Sequence, residues 1–155
     1  VLTSNRVHGF SSRGGAVAIA GCITCRAAVG NSTLQLNQAE SAGAIYAERT
    51  AFLLERARLL NNTAMVGNGG AVVFVYSTVS LVESRFAFNA ALGGLGGACH
   101  FAAESVLRAL SACVVEHNRA ASGGGISAVL TATQFASDVR ANIVRFNTAS
   151  ECVSR

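Results

Sequence analysis

The stretch GGAVVFVYSTVSLVESRFAFNAA, residues Gly69–Ala91, decides the fold, because its landmarks return along the whole chain. Its opening Gly-Ala pair recurs as Gly15-Ala16-Val17, Gly43-Ala44-Ile45, Gly97-Ala98-Cys99 and, relaxed, Gly124-Gly125-Ile126. Gly15, Gly43, Gly70, Gly97 and Gly124 therefore follow one another at 28, 27, 27 and 27 residues. Its closing mark, an Asn with Ala two residues on, recurs as Asn37/Ala39, Asn62/Ala64, Asn89/Ala91, Asn118/Ala120 and Asn147/Ala149. Three positions before each Asn stands an apolar residue (Leu34, Leu59, Phe86, Val115, Val144), and eight before it another (Val29, Leu54, Leu81, Leu110, Val139).

Self-similarity at a fixed period of this size marks a solenoid, in which each repeat buries its apolar face only by stacking on its neighbours. Each repeat reads as glycine turn, short apolar strand, loop, second strand and Asn turn. Glu48–Leu60 has a helix-friendly composition, yet it occupies the repeat positions of strand-like Ser77–Phe88 and is read as strand by register. The alternative, a leucine-rich or other helical solenoid, lacks support, because no Leu-x-x-Leu-x-Leu pattern recurs. The chain is thus expected to be all-β: a right-handed single-stranded parallel β-helix of about five rungs, about 27 residues each. Residues 1–155 form one segment, with repeats near 5–37, 38–62, 63–89, 90–118 and 119–147. The glycines are expected to supply the positive φ of sharp corners, and the asparagines to take left-handed turns while passing amide hydrogen bonds from rung to rung.

Composition excludes several classes. Half the residues are hydrophobic and 13% charged, which disorder does not tolerate. All twelve basic residues are arginine, and the net charge of +4 is spread without a basic run, unlike a nucleic-acid binder. No apolar run reaches the roughly 18 residues that would cross a bilayer, so no membrane insertion is expected. A single aspartate, Asp138, and no lysine leave little for acid–base catalysis or calcium. No catalytic, cofactor or metal residue is therefore assigned.

Weaker signals remain. Cys22 and Cys25 have the spacing of a local disulfide or half a zinc site, without the partners that zinc needs. Cys99 stands at an apolar ladder position and Cys113 at an Ala/Ser position, so both read as buried small hydrophobes that could also approach as a disulfide. Glu55 with Glu83, and Arg58 with Arg85, sit at matching repeat positions and suggest surface ion pairs. His100 and His117 share no column, and His8 lies in the ragged first repeat. Tyr46 and Tyr76, one rung apart, are the candidate aromatic platform for a glycan. Asn31-Ser32-Thr33 and Asn61-Asn62-Thr63 are glycosylation sequons at Asn31 and Asn61.

The repeat resembles that of chlamydial polymorphic outer membrane proteins, marked by a GGAI-like and an FxxN tetrapeptide. The first stands here as Gly14-Gly15-Ala16-Val17, Gly69-Gly70-Ala71-Val72 and Gly96-Gly97-Ala98-Cys99, with Ala42-Gly43-Ala44-Ile45 and Gly123-Gly124-Gly125-Ile126 as variants. The second stands as Phe86-Ala87-Phe88-Asn89, relaxed to Leu34-Gln35-Leu36-Asn37, Val115-Glu116-His117-Asn118 and Val144-Arg145-Phe146-Asn147. The resemblance implies a pectin-lyase-like β-helix and an adhesive, surface-displayed role.

The expected function is a non-enzymatic structural or adhesive segment of a secreted or cell-surface protein, extending into a filament or appendage. Its partners would be segments or subunits capping the solenoid ends, and surface glycans, since exposed strand edges invite pairing. The chain is expected to be part of a longer protein. The competing expectations are a fragment of a polysaccharide lyase or hydrolase, and a carbohydrate-binding module.

Overall fold

The computed structural model describes residues 1–7, 12–21, 25–129 and 138–150, with the side chains of residues 138 and 139 left aside. The described residues contain strands and no helix, and all strand pairs are parallel. The rung between Ile45 and Ala64 shows the plan: strands Ile45–Glu48, Ala51–Glu55, Arg58–Leu60 and Thr63–Ala64 each lie on a different wall. Four parallel sheets result, named first to fourth in that order, holding five, five, six and five strands. The sequence reading placed two strands in each repeat. The structure has four, because two further strands, most of them only two or three residues long, flank the Asn corner.

Register carries the apolar positions into vertical columns. Val17, Ile45, Val72, Cys99 and Ile126 stack in the first sheet. Val29, Leu54, Leu81, Leu110 and Val139 align in the second. Leu2, Leu34, Leu59, Phe86, Val115 and Val144 align in the third, and Ala39, Ala64, Ala91, Ala120 and Ala149 in the fourth. A period of two sends alternate residues inward, so each strand contributes one or two side chains to a dry interior.

Columns are not uniform, and neighbouring columns compensate. In the first sheet Ala47 lies in register with Phe74, and Phe52 of the adjacent wall packs on the Phe74 ring. Phe52 and Phe74 rings lie 5.5 Å apart, and Phe74 and Phe101 5.2 Å. All three are buried. Packing an aromatic against a small neighbour keeps the interior at crystal-like density.

Among the described residues the corners turn on residues with positive φ, and most of these are not glycine. Leu36, Asn61, Phe88, His117 and Phe146 turn the corner before the Asn column at φ near 55°. Asn31, Arg56, Glu83, Ala112 and Ala141 turn the corner between the second and third sheets. The expectation for the asparagines is thereby corrected: the left-handed residue precedes each Asn of the column. The glycine expectation is corrected too. Gly14, Gly69, Gly96 and Gly123, with Ala42 in the same column, hold the positive φ, one residue before Gly15, Gly43, Gly70, Gly97 and Gly124. The latter five are glycines for space. A Cβ on Gly70 would lie 2.5 Å from the backbone nitrogen of Ala90 and against the carbonyl oxygen of Gly97, and Gly43 and Gly97 face the same obstruction.

Candidate functional site

The asparagine column is the most completely bonded feature of the molecule. Each Oδ1 accepts two hydrogen bonds from the rung before it, one from the backbone N–H and one from the side-chain amide of the preceding Asn. The side-chain links run Asn5 to Asn37, Asn37 to Asn62, Asn62 to Asn89, Asn89 to Asn118 and Asn118 to Asn147, at 2.9–3.0 Å. Each Nδ2 from Asn37 onward also donates to a carbonyl: Leu2, Leu34, Leu59, Phe86 and Val115 in turn. Asn62, Asn89 and Asn118 are wholly buried. Their amides use their capacity on protein partners, so the column is scaffold and offers nothing to a ligand.

Thr50, Ser77 and Ser105 do similar work between the first and second sheets. The Ser77 hydroxyl accepts the Thr50 N–H and donates to the carbonyl of Val75. Cys113 stands in the corner column of Ala57 and Ser84. Its Sγ lies 3.4 Å from the Ser111 carbonyl, and its N–H donates to Asn142 Oδ1. Cys99 and Cys113 are free thiols, both buried, which replaces the disulfide considered for them. Burial pushes both thiols above the ordinary range, Cys99 well above it. Cys25 is disulfide-bonded. Cys22 lies outside the described residues, as does His8.

Other sequence candidates separate. Tyr46 is buried, hydrogen-bonded to Arg13 and Glu48, and aligned with Val73, whereas Tyr76 turns an exposed corner with the Arg49 guanidinium 5.2 Å from its ring. The two tyrosines therefore form no platform. Arg58 and Arg85 are in register, but Glu55 stands opposite Val82, so Glu83 is displaced by one position into the corner column of Arg56. Arg85 instead joins Arg145 on Glu116, whose carboxylate takes bonds of 2.6 and 3.0 Å. Those bonds, from Arg85 first and then Arg145, hold Glu116 below the usual carboxylate range. His100 is buried with Nδ1 unpartnered, and burial lowers its pKa. Asn31 and Asn61 both sit on exposed left-handed corners. Among the described residues no three His, Cys, Asp or Glu side chains gather as a metal site would require.

Two surface features escaped the sequence reading. The first is a ladder of exposed rings: Phe88, His117 and Phe146 stack face to face at 5.0 Å, with the Arg145 guanidinium 5.3 Å from the Phe146 ring. Because the faces are spent on each other, the ladder turns ring edges to solvent. The second is an open trough of about 800 Å³ on the outer face of the second sheet. Ala28, Ala51, Leu53, Thr78 and Ser80 line it between Arg26 and Arg108. Arg108 reaches it through a β-bulge: Val79 pairs with Leu107 and Ser80 with Ala109, leaving Arg108 as the extra residue. Bulges of this kind re-aim a side chain out of the regular ladder. The bulge adds one of the two residues by which the Asn89-to-Asn118 spacing exceeds 27, the other entering at the Ala103–Glu104 corner, and the constant Gly-to-Gly spacing conceals both.

The class of protein is fixed at this point: a parallel β-solenoid whose rungs are keyed by an internal asparagine column. No family model, curated protein or solved structure matches the chain.

Proposed function

We propose that the chain is a non-enzymatic structural and adhesive β-helix segment of a secreted or cell-surface protein, built from repeats of the GGAI/FxxN type. The observation that carries this reading is where repetition falls. Several inward-facing columns repeat the same residue types, Asn on Asn, Ala on Ala and Gly on Gly, while solvent-facing columns, the left-handed corners among them, change from rung to rung. Leu36, Asn61, Phe88, His117 and Phe146 occupy one such outward column. A rigid wall with a freely varying outside suits display and contact, as in other repeat architectures. Arg13, Arg49, Arg56, Arg85 and Arg145 meet carboxylates on that surface as ion pairs, and Glu116, the most enclosed carboxylate of these pairs, is tied by two arginines.

The test is retention of chain-coated beads on cell layers under flow, beside an assay for new reducing ends on acidic and neutral polysaccharides. Beads held above an albumin control, without polysaccharide cleavage, support the reading. Turnover of a polysaccharide, or beads released like the control, overturns it.

A further inference from the structure

We infer that the side of the rod formed by the fourth sheet and its two corners docks on an anionic lipid bilayer, lying on its surface without crossing it; in naming the partner of the adhesive surface, this rests on the reading above. Two apolar edges frame that side. Leu36, Phe88 and Phe146 line the corner where the chain enters the fourth sheet, and Met65, Val66 and Leu92 line the edge where it leaves; all six are exposed. The second edge is raised. Asn62 and Gly70, like Asn89 and Gly97, are eight residues apart, whereas Asn37 and Gly43, like Asn118 and Gly124, are six apart. Leu92, Gly93 and Gly94 consequently stand opposite Ala121 alone. Two adjacent rungs thus push their aliphatic side chains outward as a ridge.

Positive charge lies between the edges. Arg6, Gln38, Thr63, Ala90, Arg119 and Thr148 form the outward column of the fourth sheet. Arg6 and Arg119 are exposed and form no ion pair among the described residues, unlike Arg13, Arg49, Arg56, Arg85 and Arg145. Four strand steps of about 4.8 Å set the two cations about 19 Å apart along the axis. Glu40, beside the same sheet, is half-buried and itself engaged. Apolar edges and free guanidinium groups together call for a partner that offers an apolar phase and anions at one boundary, as the headgroup layer of an anionic bilayer does. Arginine stems can lie along apolar surface while their heads reach lipid phosphates and carboxylates.

The backbone sets no barrier to this docking. The amides of Leu36, Asn61, Phe88, His117, Met65 and Val66 all donate to carbonyls of neighbouring rungs, so few polar groups lose water when this side settles into the interface. The Phe88, His117 and Phe146 rings, stacked on one another, turn C–H edges toward acyl chains. Other partners fit less well. A second copy related by a twofold axis would set the arginine column of one chain against that of the other, and like charges repel. A peptide adding as a strand needs a free sheet edge, but Thr63–Ala64, Ala90–Leu95 and Arg119–Ser122 are paired on both sides.

The experiment is flotation of the chain with vesicles of phosphatidylcholine alone and of an equal mixture of phosphatidylcholine and phosphatidylserine, beside sedimentation of the lipid-free chain. Wild type should float with the mixed vesicles and far less with phosphatidylcholine alone. Val66→Asp should weaken flotation at least about tenfold, the effect of one apolar side chain kept out of the bilayer, and Arg119→Gln about fivefold. Leu53→Asp and Arg108→Gln make the same charge changes on the second sheet and should leave flotation unchanged. Phe146→Ser, at another exposed position, takes the place of Val66→Asp if the urea midpoint of that variant shows a lost fold. The proposal is overturned by no flotation with the mixed vesicles, by equal flotation with phosphatidylcholine alone, by an equal loss in Leu53→Asp or Arg108→Gln, or by a lipid-free dimer that Val66→Asp breaks. Vesicles left unbound while coated beads stay on cell layers sink this inference alone; beads released like the control sink the adhesive reading itself.

Discussion

Asn89 Oδ1 receives both the backbone N–H and the side-chain amide of Asn62, each at 3.0 Å. Its own Nδ2 donates at 2.9 Å to Asn118 Oδ1 and to the Leu59 carbonyl. Asn89→Ala strands donors and acceptors on the two flanking rungs without admitting water. An unsatisfied buried polar group costs roughly 1–3 kcal/mol, so the loss should be about 3 kcal/mol or more in chemical denaturation. Asn147→Ala, in a partly exposed position, should cost about 1 kcal/mol. Equal losses at the two sites would show that the column is not the main bond between rungs.

Gly70→Ala should be far worse than Gly21→Ala. At Gly70 the new Cβ meets backbone on the next wall and the next rung, where nothing can swing aside. Gly21 has φ +80° and nothing within 4 Å, so its substitution costs only left-handed strain, about 1–2 kcal/mol. Thermal unfolding of both variants measures the difference; a tolerated Gly70→Ala would refute the spatial account.

Ala112 has φ 51° and an exposed position. Replacing it with Gly relieves strain while adding entropy to the unfolded chain, for a net gain of about 0.5–1 kcal/mol. Denaturation midpoints would register it, and a destabilised Ala112→Gly would contradict the corner assignment.

Stability should fall in acid in part through Glu116. Arg85 and Arg145 depress its folded pKa, so the folded state holds this proton less readily than the unfolded chain. The contribution is complete above the unfolded carboxylate value, near 4.3, and disappears as pH drops through the folded value. Glu116→Gln should flatten the stability profile below about pH 5 and leave its slope at neutral pH unchanged.

Cys99 and Cys113 should resist alkylation in the folded chain, because burial both shields the thiols and raises their pKa. Peptide mapping after iodoacetamide labelling across a urea series should show both reacting with global unfolding. Labelling of either site in native buffer would contradict the packing.

What the sequence made legible is what must repeat. Gly70 and Asn89 could be found because a wall of closely stacked turns tolerates one residue type at each of those places. Phe88, His117 and Phe146 could not, since the outward side chain of a left-handed corner answers to no neighbour in the core and its type drifts between rungs. Arg108 was hidden differently. The residues gained before Asn118 are taken back by the register shift between Ala91 and Leu95 in the fourth sheet, so the glycine period stays at 27. The strands flanking the Asn corner were missed because most have two or three residues, too few to show alternation.

The amide column also gives the rod an arrow. From Asn5 to Asn118 each side chain donates one amide N–H to the Oδ1 of the next, higher-numbered Asn, so these links all run one way and polarise one another. An inverted copy set against such a stack would bring donor to donor or oxygen to oxygen. The column therefore has polarity, and the two directions along the axis are told apart by the amides alone.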